Sequence, residues 1–219
     1  MSCMTLTSGI CRGCRDNVGG IKKAFFANAC DLEFYNGTGV GAFQLDTNGE
    51  IGDYSNSIPW YPFIPSQHTG NYVETLNVSV ENGTVYYNGV LTLAFNKMEQ
   101  KKRNVICEMA KGDLAIIFQD ENNKYWWIGG LKITDAGGKP TSVVADSSVG
   151  CVLGGTSFQT GTAMADSNGG SLTFTIDMAK PAIEVIPKTG GKLESDLETA
   201  LSASCASCAT EVTPDDDDH

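Results

Sequence analysis

The run from Tyr72 to Thr134 constrains the fold more than any other part of the chain, because its pattern is strand, turn, strand, helix, strand, turn, strand. Val73, Thr75, Asn77 and Ser79 alternate, imperfectly, with Glu74, Leu76, Val78 and Val80. Glu81-Asn82-Gly83 supplies a turn, and Thr84 to Phe95 returns as a strand rich in β-branched and aromatic residues. A helix is then predicted over about 97–111. Asn96 is placed to cap it, Glu99 forms the other half of a capping box, and Gly112 is placed to stop it. Met98, Val105, Ile106 and Met109 share one face of that helix, with Lys101, Lys102 and Arg103 elsewhere on its surface. Leu114–Gln119 and Lys124–Ile128 form a second strand pair across a polar turn. One helix laid on antiparallel strands follows, which makes the fold mainly β: an antiparallel β-sandwich or small barrel with one flanking α-helix.

The flanking sequence divides the chain into three parts. Residues 1–20 suit an N-terminal arm, and residues 21–189 form the β domain. Within it Ile21–Ala29 is a strand centred on Phe25-Phe26. Residues 31–71 hold three prolines and repeated glycines, which predicts a long loop suited to contacting a neighbouring subunit. Thr141–Gly161 is polar and Gly-rich with little periodicity. In Ser171–Met178, by contrast, Leu172, Phe174 and Ile176 fall on one face and Thr173, Thr175 and Asp177 on the other. Pro181–Ile186 gives one more short strand. Residues 190–219 carry eight acidic residues and one lysine, and are expected to form a mobile acidic tail, although Leu193, Leu197 and Leu201 share one face of a possible short helix.

The chemistry-bearing residues are sparse. A net charge of -11 argues against affinity for a phosphate backbone, though not against a protein that nucleic acid slides past. No apolar run approaches the roughly 20 residues that span a bilayer. Met1–Gly20 lacks the hydrophobic region of a signal peptide, so neither membrane insertion nor secretion is expected. Cys11-x-x-Cys14 and Cys205-x-x-Cys208 have ligand spacing and together suit a zinc ion, or a disulfide within or between subunits. Neither pair has the usual zinc framework, and the second lies in a low-complexity Ser/Ala stretch. Unbonded thiols are therefore the plainer expectation, with no metal and no cofactor. Cys107 and Cys151 read as small hydrophobes packed inside. Two histidines, His68 and His219, give no convergent acid, base and nucleophile, so the chain is not expected to be an enzyme. Trp60, Tyr61 and Phe63 suit either a carbohydrate or peptide groove or, more plainly, packing of a loop on the sheet or on a neighbour. Trp126-Trp127 places one indole on each face of a strand; one enters the core and the other meets another subunit or stays partly exposed, which makes Trp127 a further interface candidate.

Several segments, taken in order, resemble a known family. They are Arg12-Gly13-Cys14-Arg15-Asp16-Asn17-Val18-Gly19-Gly20-Ile21-Lys22-Lys23, Glu74-Thr75-Leu76-Asn77-Val78 with Gly83-Thr84-Val85-Tyr86-Tyr87, Ala110-Lys111-Gly112-Asp113-Leu114 with Asp120-Glu121-Asn122-Asn123-Lys124-Tyr125-Trp126, Gly161 to Gly170, and Pro181-Ala182-Ile183-Glu184-Val185. The ordered set, covering residues 11–187, is similar to the tail tube (major tail) proteins of tailed bacteriophages and prophages of the Bacteroidetes type. The resemblance implies a homo-oligomer of stacked hexameric rings whose inner strands join into one barrel. It implies a virion tail component, assembled in the host cytoplasm, through which double-stranded DNA passes without sticking. Its partners would be tail terminator, baseplate or tip and, in contractile tails, sheath proteins. The hairpin Tyr72–Phe95 is then the candidate channel lining, with Glu74, Asn77 and Glu81 as lining residues, and the loop 36–71 the candidate ring-to-ring contact. A head-decoration protein and a secreted carbohydrate-binding module are the competing expectations.

Overall fold

The computed structural model describes residues 18–36, 43–66, 68–136 and 138–206. The fold is mainly β with three helices, and no sheet closes into a barrel among the described residues. In chain order the elements are β1 (Ile21–Asn28), α1 (Ala29–Asn36), β2 (Phe43–Leu45), β3 (Ile51–Tyr54), β4 (Tyr61–Phe63), β5 (Asn71–Ser79), β6 (Thr84–Asn96) and α2 (Gln100–Met109). There follow β7 (Leu114–Asp120), β8 (Tyr125–Ile128), β9 (Leu131–Ala136), β10 (Lys139–Ala145), β11 (Val152–Gln159), β12 (Gly169–Met178), β13 (Ile183–Val185) and α3 (Lys192–Ala206). A seven-stranded sheet runs β2-β3-β13-β8-β7-β1-β4, a four-stranded sheet runs β11-β12-β6-β5, and β9 pairs with β10.

The seven-stranded sheet is covered on both faces, and the sequences of its central strands show why. β1 and β7 carry continuous apolar runs, Ala24–Ala27 and Leu114–Phe118, as expected of strands buried on both sides. Successive side chains then enter different cores. Phe25, Ala27, Ala115, Ile117 and Trp127 face α1, α3 and the β9–β10 pair, where Leu32, Leu193, Leu197 and Val143 close the cluster. Ala24, Phe26, Ile116, Phe118 and Ile128 face the four-stranded sheet and meet Leu91, Leu93, Phe95, Leu172, Phe174 and Ile176. The alternation expected in β12 is present, with Leu172, Phe174 and Ile176 buried.

Four expectations are corrected. First, the described residues hold three helices rather than one flanking helix. Second, residues 31–71 are not one loop, since they hold the end of α1 together with β2, β3 and β4; Ile51, Tyr54, Ile58 and Trp60 are core residues. Third, the region assigned to a mobile tail begins with α3, which is docked rather than free. Leu193 and Leu197 are buried, Leu193 N–H donates to Asp53 Oδ1 at 3.1 Å, and Asp196 Oδ2 accepts from the Tyr54 hydroxyl at 2.6 Å and from Ile58 N–H at 2.7 Å. Two buried leucines and these bonds outweigh the solubility of the acidic residues around them. Residues 207–219 lie outside the described residues. Fourth, Cys151 is buried as expected, but Cys107 is exposed on α2.

Helix α2 also starts later than its sequence signal. Asn96 stays in β6, where it pairs with Gly169, because Phe95 is seated in the core and carries the strand onward. Glu99 becomes the N-cap residue without a side-chain cap bond, and it pairs instead with Lys97 and Lys102. Ile106 is buried beneath the helix, whereas Val105 is exposed. The first turn thus carries Lys101, Lys102 and Arg103 and no acid, opposing the helix dipole. Lys102 is engaged with the Asn96 and Lys97 carbonyls, and Arg103 lies over the Phe158 ring, whereas Lys101 is exposed. Substitution Lys101→Glu should therefore raise stability by about 0.3–1 kcal/mol. The check is a higher urea midpoint with an unchanged denaturant slope; a lower midpoint would contradict this account of the helix.

Candidate functional site on the four-stranded sheet

One face of the four-stranded sheet is packed and the other is open, and parity assigns every strand residue to one of them. On β6, Leu91, Leu93 and Phe95 point into the core, so Thr84, Tyr86, Asn88, Val90 and Thr92 point out. On β12 the outward set is Ser171, Thr173, Thr175 and Asp177. On β5 it is Asn71, Val73, Thr75, Asn77 and Ser79, because Tyr72, in register with Leu91, packs on the core and on Phe118. Hydroxyls and amides dominate this face, and some pair with one another. The Ser157 and Ser171 hydroxyls lie 2.8 Å apart, and Asn88 Nδ2 donates to Asp177 Oδ1 at 2.8 Å. Across all four strands the acidic and basic residues reduce to Glu74 and Asp177, with no Lys, Arg or His.

The three candidate lining residues separate. Asn77 is on the open face. Glu74 is three residues away in the same strand and so points to the other face, where its Oε2 accepts from the Tyr72 hydroxyl at 2.9 Å and from Ala182 N–H at 2.8 Å. Burial, with the Glu74 charge second, raises the Tyr72 pKa well above the usual phenol value and keeps the hydroxyl a donor. Glu81 sits in the turn beyond both strands, next to Gly83, whose φ of 64° requires the left-handed region. The β12 residues of the open face, Ser171, Thr173, Thr175 and Asp177, belong to a strand whose alternation was legible, but nothing local marked its polar side as more than solvent-facing.

The hairpin β5–β6 runs past its support. Leu76, Val78 and Val85 have core-facing parity, yet each is more than half exposed. The sheet edges differ as well. The seven-stranded sheet ends in β2 and β4, each of three residues, and β4 has Pro62 at its centre. Short edges and edge prolines resist pairing with another chain. The four-stranded sheet ends in β5 and β11, of 9 and 8 residues, with no proline and no lysine. Those are the least protected edges among the described strands.

The interface candidates also separate. Trp60 and Trp127 are core residues, 5% and 1% exposed, packed edge to face at 5.2 Å. The Trp60 indole donates to the Tyr54 hydroxyl and that of Trp127 to the Gly129 carbonyl. On the second face of β8, expected to meet another subunit or remain partly exposed, Trp126 is partly buried against the core shared with the four-stranded sheet. Phe63 is half-buried between Phe26 and Phe95, and only Tyr61 stands out into solvent, 60% exposed. Of the paired cysteines, Cys11, Cys14 and Cys208 lie outside the described residues, and Cys205 is described only as a backbone position in α3. Among the described residues no group of three or more His, Cys, Asp or Glu could hold a metal ion, and no helix is long and apolar enough to cross a membrane. His68 Nδ1 lies 3.9 Å from Glu121 Oε1, a surface pair.

No family model, no characterised protein and no solved structure matches this chain.

Proposed function

We propose that this protein is a structural subunit of a phage tail tube: a β-sandwich of the tail-tube type that assembles into stacked hexameric rings around a channel for double-stranded DNA. The observation that carries this reading is the contrast between the two sheets. The seven-stranded sheet has blunted edges, whereas the four-stranded sheet has long unprotected ones and an open face of hydroxyls and amides. Pairing β5 of one copy with β11 of the next removes both free edges at once, and a repeated head-to-tail contact closes into a ring. Six such sheets at about 4.8 Å per strand form a wall about 37 Å across, and an inner side-chain layer of about 5 Å per wall leaves a channel of about 27 Å. Strand tilt widens it further. That is room for one duplex. A lining without Lys or Arg neutralises no phosphates and releases no counterions, so DNA gains little by stopping there. The unsupported apolar residues Leu76, Val78 and Val85 then have a neighbouring copy to cover them. Within residues 36–71, the exposed Tyr61 and Ile64 are the proposed ring-to-ring contact. On this reading the protein performs no catalysis.

Negative-stain electron microscopy of the purified chain, with mass measurement at several concentrations, tests the proposal. Six-membered rings or open tubes are the expected result. A monomer at every concentration overturns it in favour of a binding module, and channel-free trimers favour a head-decoration protein.

A further inference from the structure

A cleft of about 610 Å³ opens where the start of β5 meets β7 and β8. Its walls are Tyr72, Phe118 and Trp126, and its acids are Glu74 and Asp120; among the described residues no basic residue lines it. Tyr72 and Phe118 pack against each other at 4.8 Å between ring centroids. Glu74 is fixed, since both of its described hydrogen bonds end on Oε2. Among the described residues Oε1 accepts none. Asp120 is fixed by its turn, where Oδ1 accepts from Asn122 N–H and Lys124 N–H. The nearest lysine of that turn, Lys124, is turned to Glu184 at 2.7 Å.

We propose that this cleft is a binding site for a guanidinium group, the side chain of an arginine. Aromatic faces attract a cation by their quadrupole, and a planar guanidinium stacks on an indole while donating to a carboxylate at its edge. An ammonium group is more strongly hydrated and does not stack, so it gains less from the same walls. A neutral ligand would leave the Glu74 carboxylate with only its Tyr72 and Ala182 donors and no cation beside it. Holding Glu74 in place before binding reduces the ordering cost of the site. Neither a ring nor DNA is needed for this cleft to bind its ligand. Two sources share this chemistry: an arginine of another protein, and Arg12 or Arg15 of this sequence, which lie outside the described residues and shortly before Gly19 and Gly20 at the cleft.

The test is titration of the full chain with N-acetyl-arginine amide, followed by tryptophan emission. Of the three tryptophans Trp60 and Trp127 are buried and only Trp126 lines the cleft. The same titration is made on the double variant Arg12→Ala, Arg15→Ala, and with the citrulline analogue, which keeps the shape and loses the charge. The expected result is saturable binding of the arginine probe, at least about tenfold weaker binding to Glu74→Gln, and none of the citrulline probe. Binding that appears only in the double variant supports the site and identifies the chain's own arginines as its occupant. Absence of binding to both proteins overturns the proposal, as does equal binding of citrulline. If Glu74→Gln fails to fold, the arginine and citrulline comparison on the unaltered chain decides.

Discussion

Replacing Trp127 by alanine should destabilise the subunit by about 3–5 kcal/mol, the usual cost of removing a large buried aromatic side chain. The indole is 1% exposed and stands edge to face against both Trp60, at 5.2 Å, and Phe43, at 5.4 Å. Its N–H donates to the Gly129 carbonyl at 3.0 Å, so truncation also leaves a buried acceptor without its donor. Gly129 itself has little freedom to adjust, because its φ is 76° and a Cβ there would sit 2.5 Å from the Leu114 carbonyl oxygen. Tyr61→Ala, on an exposed ring, should change stability by no more than about 0.5 kcal/mol. Chemical denaturation of the two variants separates the roles. A Trp127→Ala subunit as stable as the parent would refute the core packing and return Trp127 to the interface.

Proline in the β11 edge should abolish ring formation without unfolding the subunit. Consecutive N–H groups of an edge strand point alternately toward the neighbouring strand and away from it. Of the two variants Thr156→Pro and Ser157→Pro, therefore, one removes a donor to β12 and the other removes only an outward-facing donor. The first should lower stability. The second should keep its unfolding midpoint and yield monomers by mass measurement, because the proline ring blocks the edge on which a neighbouring β5 would pair. Rings formed by both variants would sink the edge-to-edge model. A Pro at Tyr61 or Phe63 is not an equivalent test, since β4 already carries Pro62.

Much of this architecture is written in local periodicity. The hairpin β5–β6, the alternation of β12 and the continuous apolar runs of β1 and β7 are readable because a strand repeats every two residues. The opposite orientations of Glu74 and Asn77 follow from that same repeat, and treating both as lining residues overlooked it. The four-residue spacing of Leu193 and Leu197 likewise marks one face of a helix from the residues alone. What is covered, however, is not a local property. Trp126 and Trp127 point to opposite faces in any strand, and only the presence of α1, α3 and the β9–β10 pair on one side buries Trp127, while the four-stranded sheet on the other covers Trp126 in part. The three- and four-residue strands β2, β3 and β4 have too few residues to show a period and exist through pairing with distant segments. Asn96 carries a capping signal that lost to the seating of Phe95 one residue earlier. The sequence by itself determined which residues share a face, because that depends on backbone geometry alone. Only the tertiary structure decided which face is buried, which edge stays open and which carboxylate lines a cleft, because those depend on what segments remote in the chain bring against it.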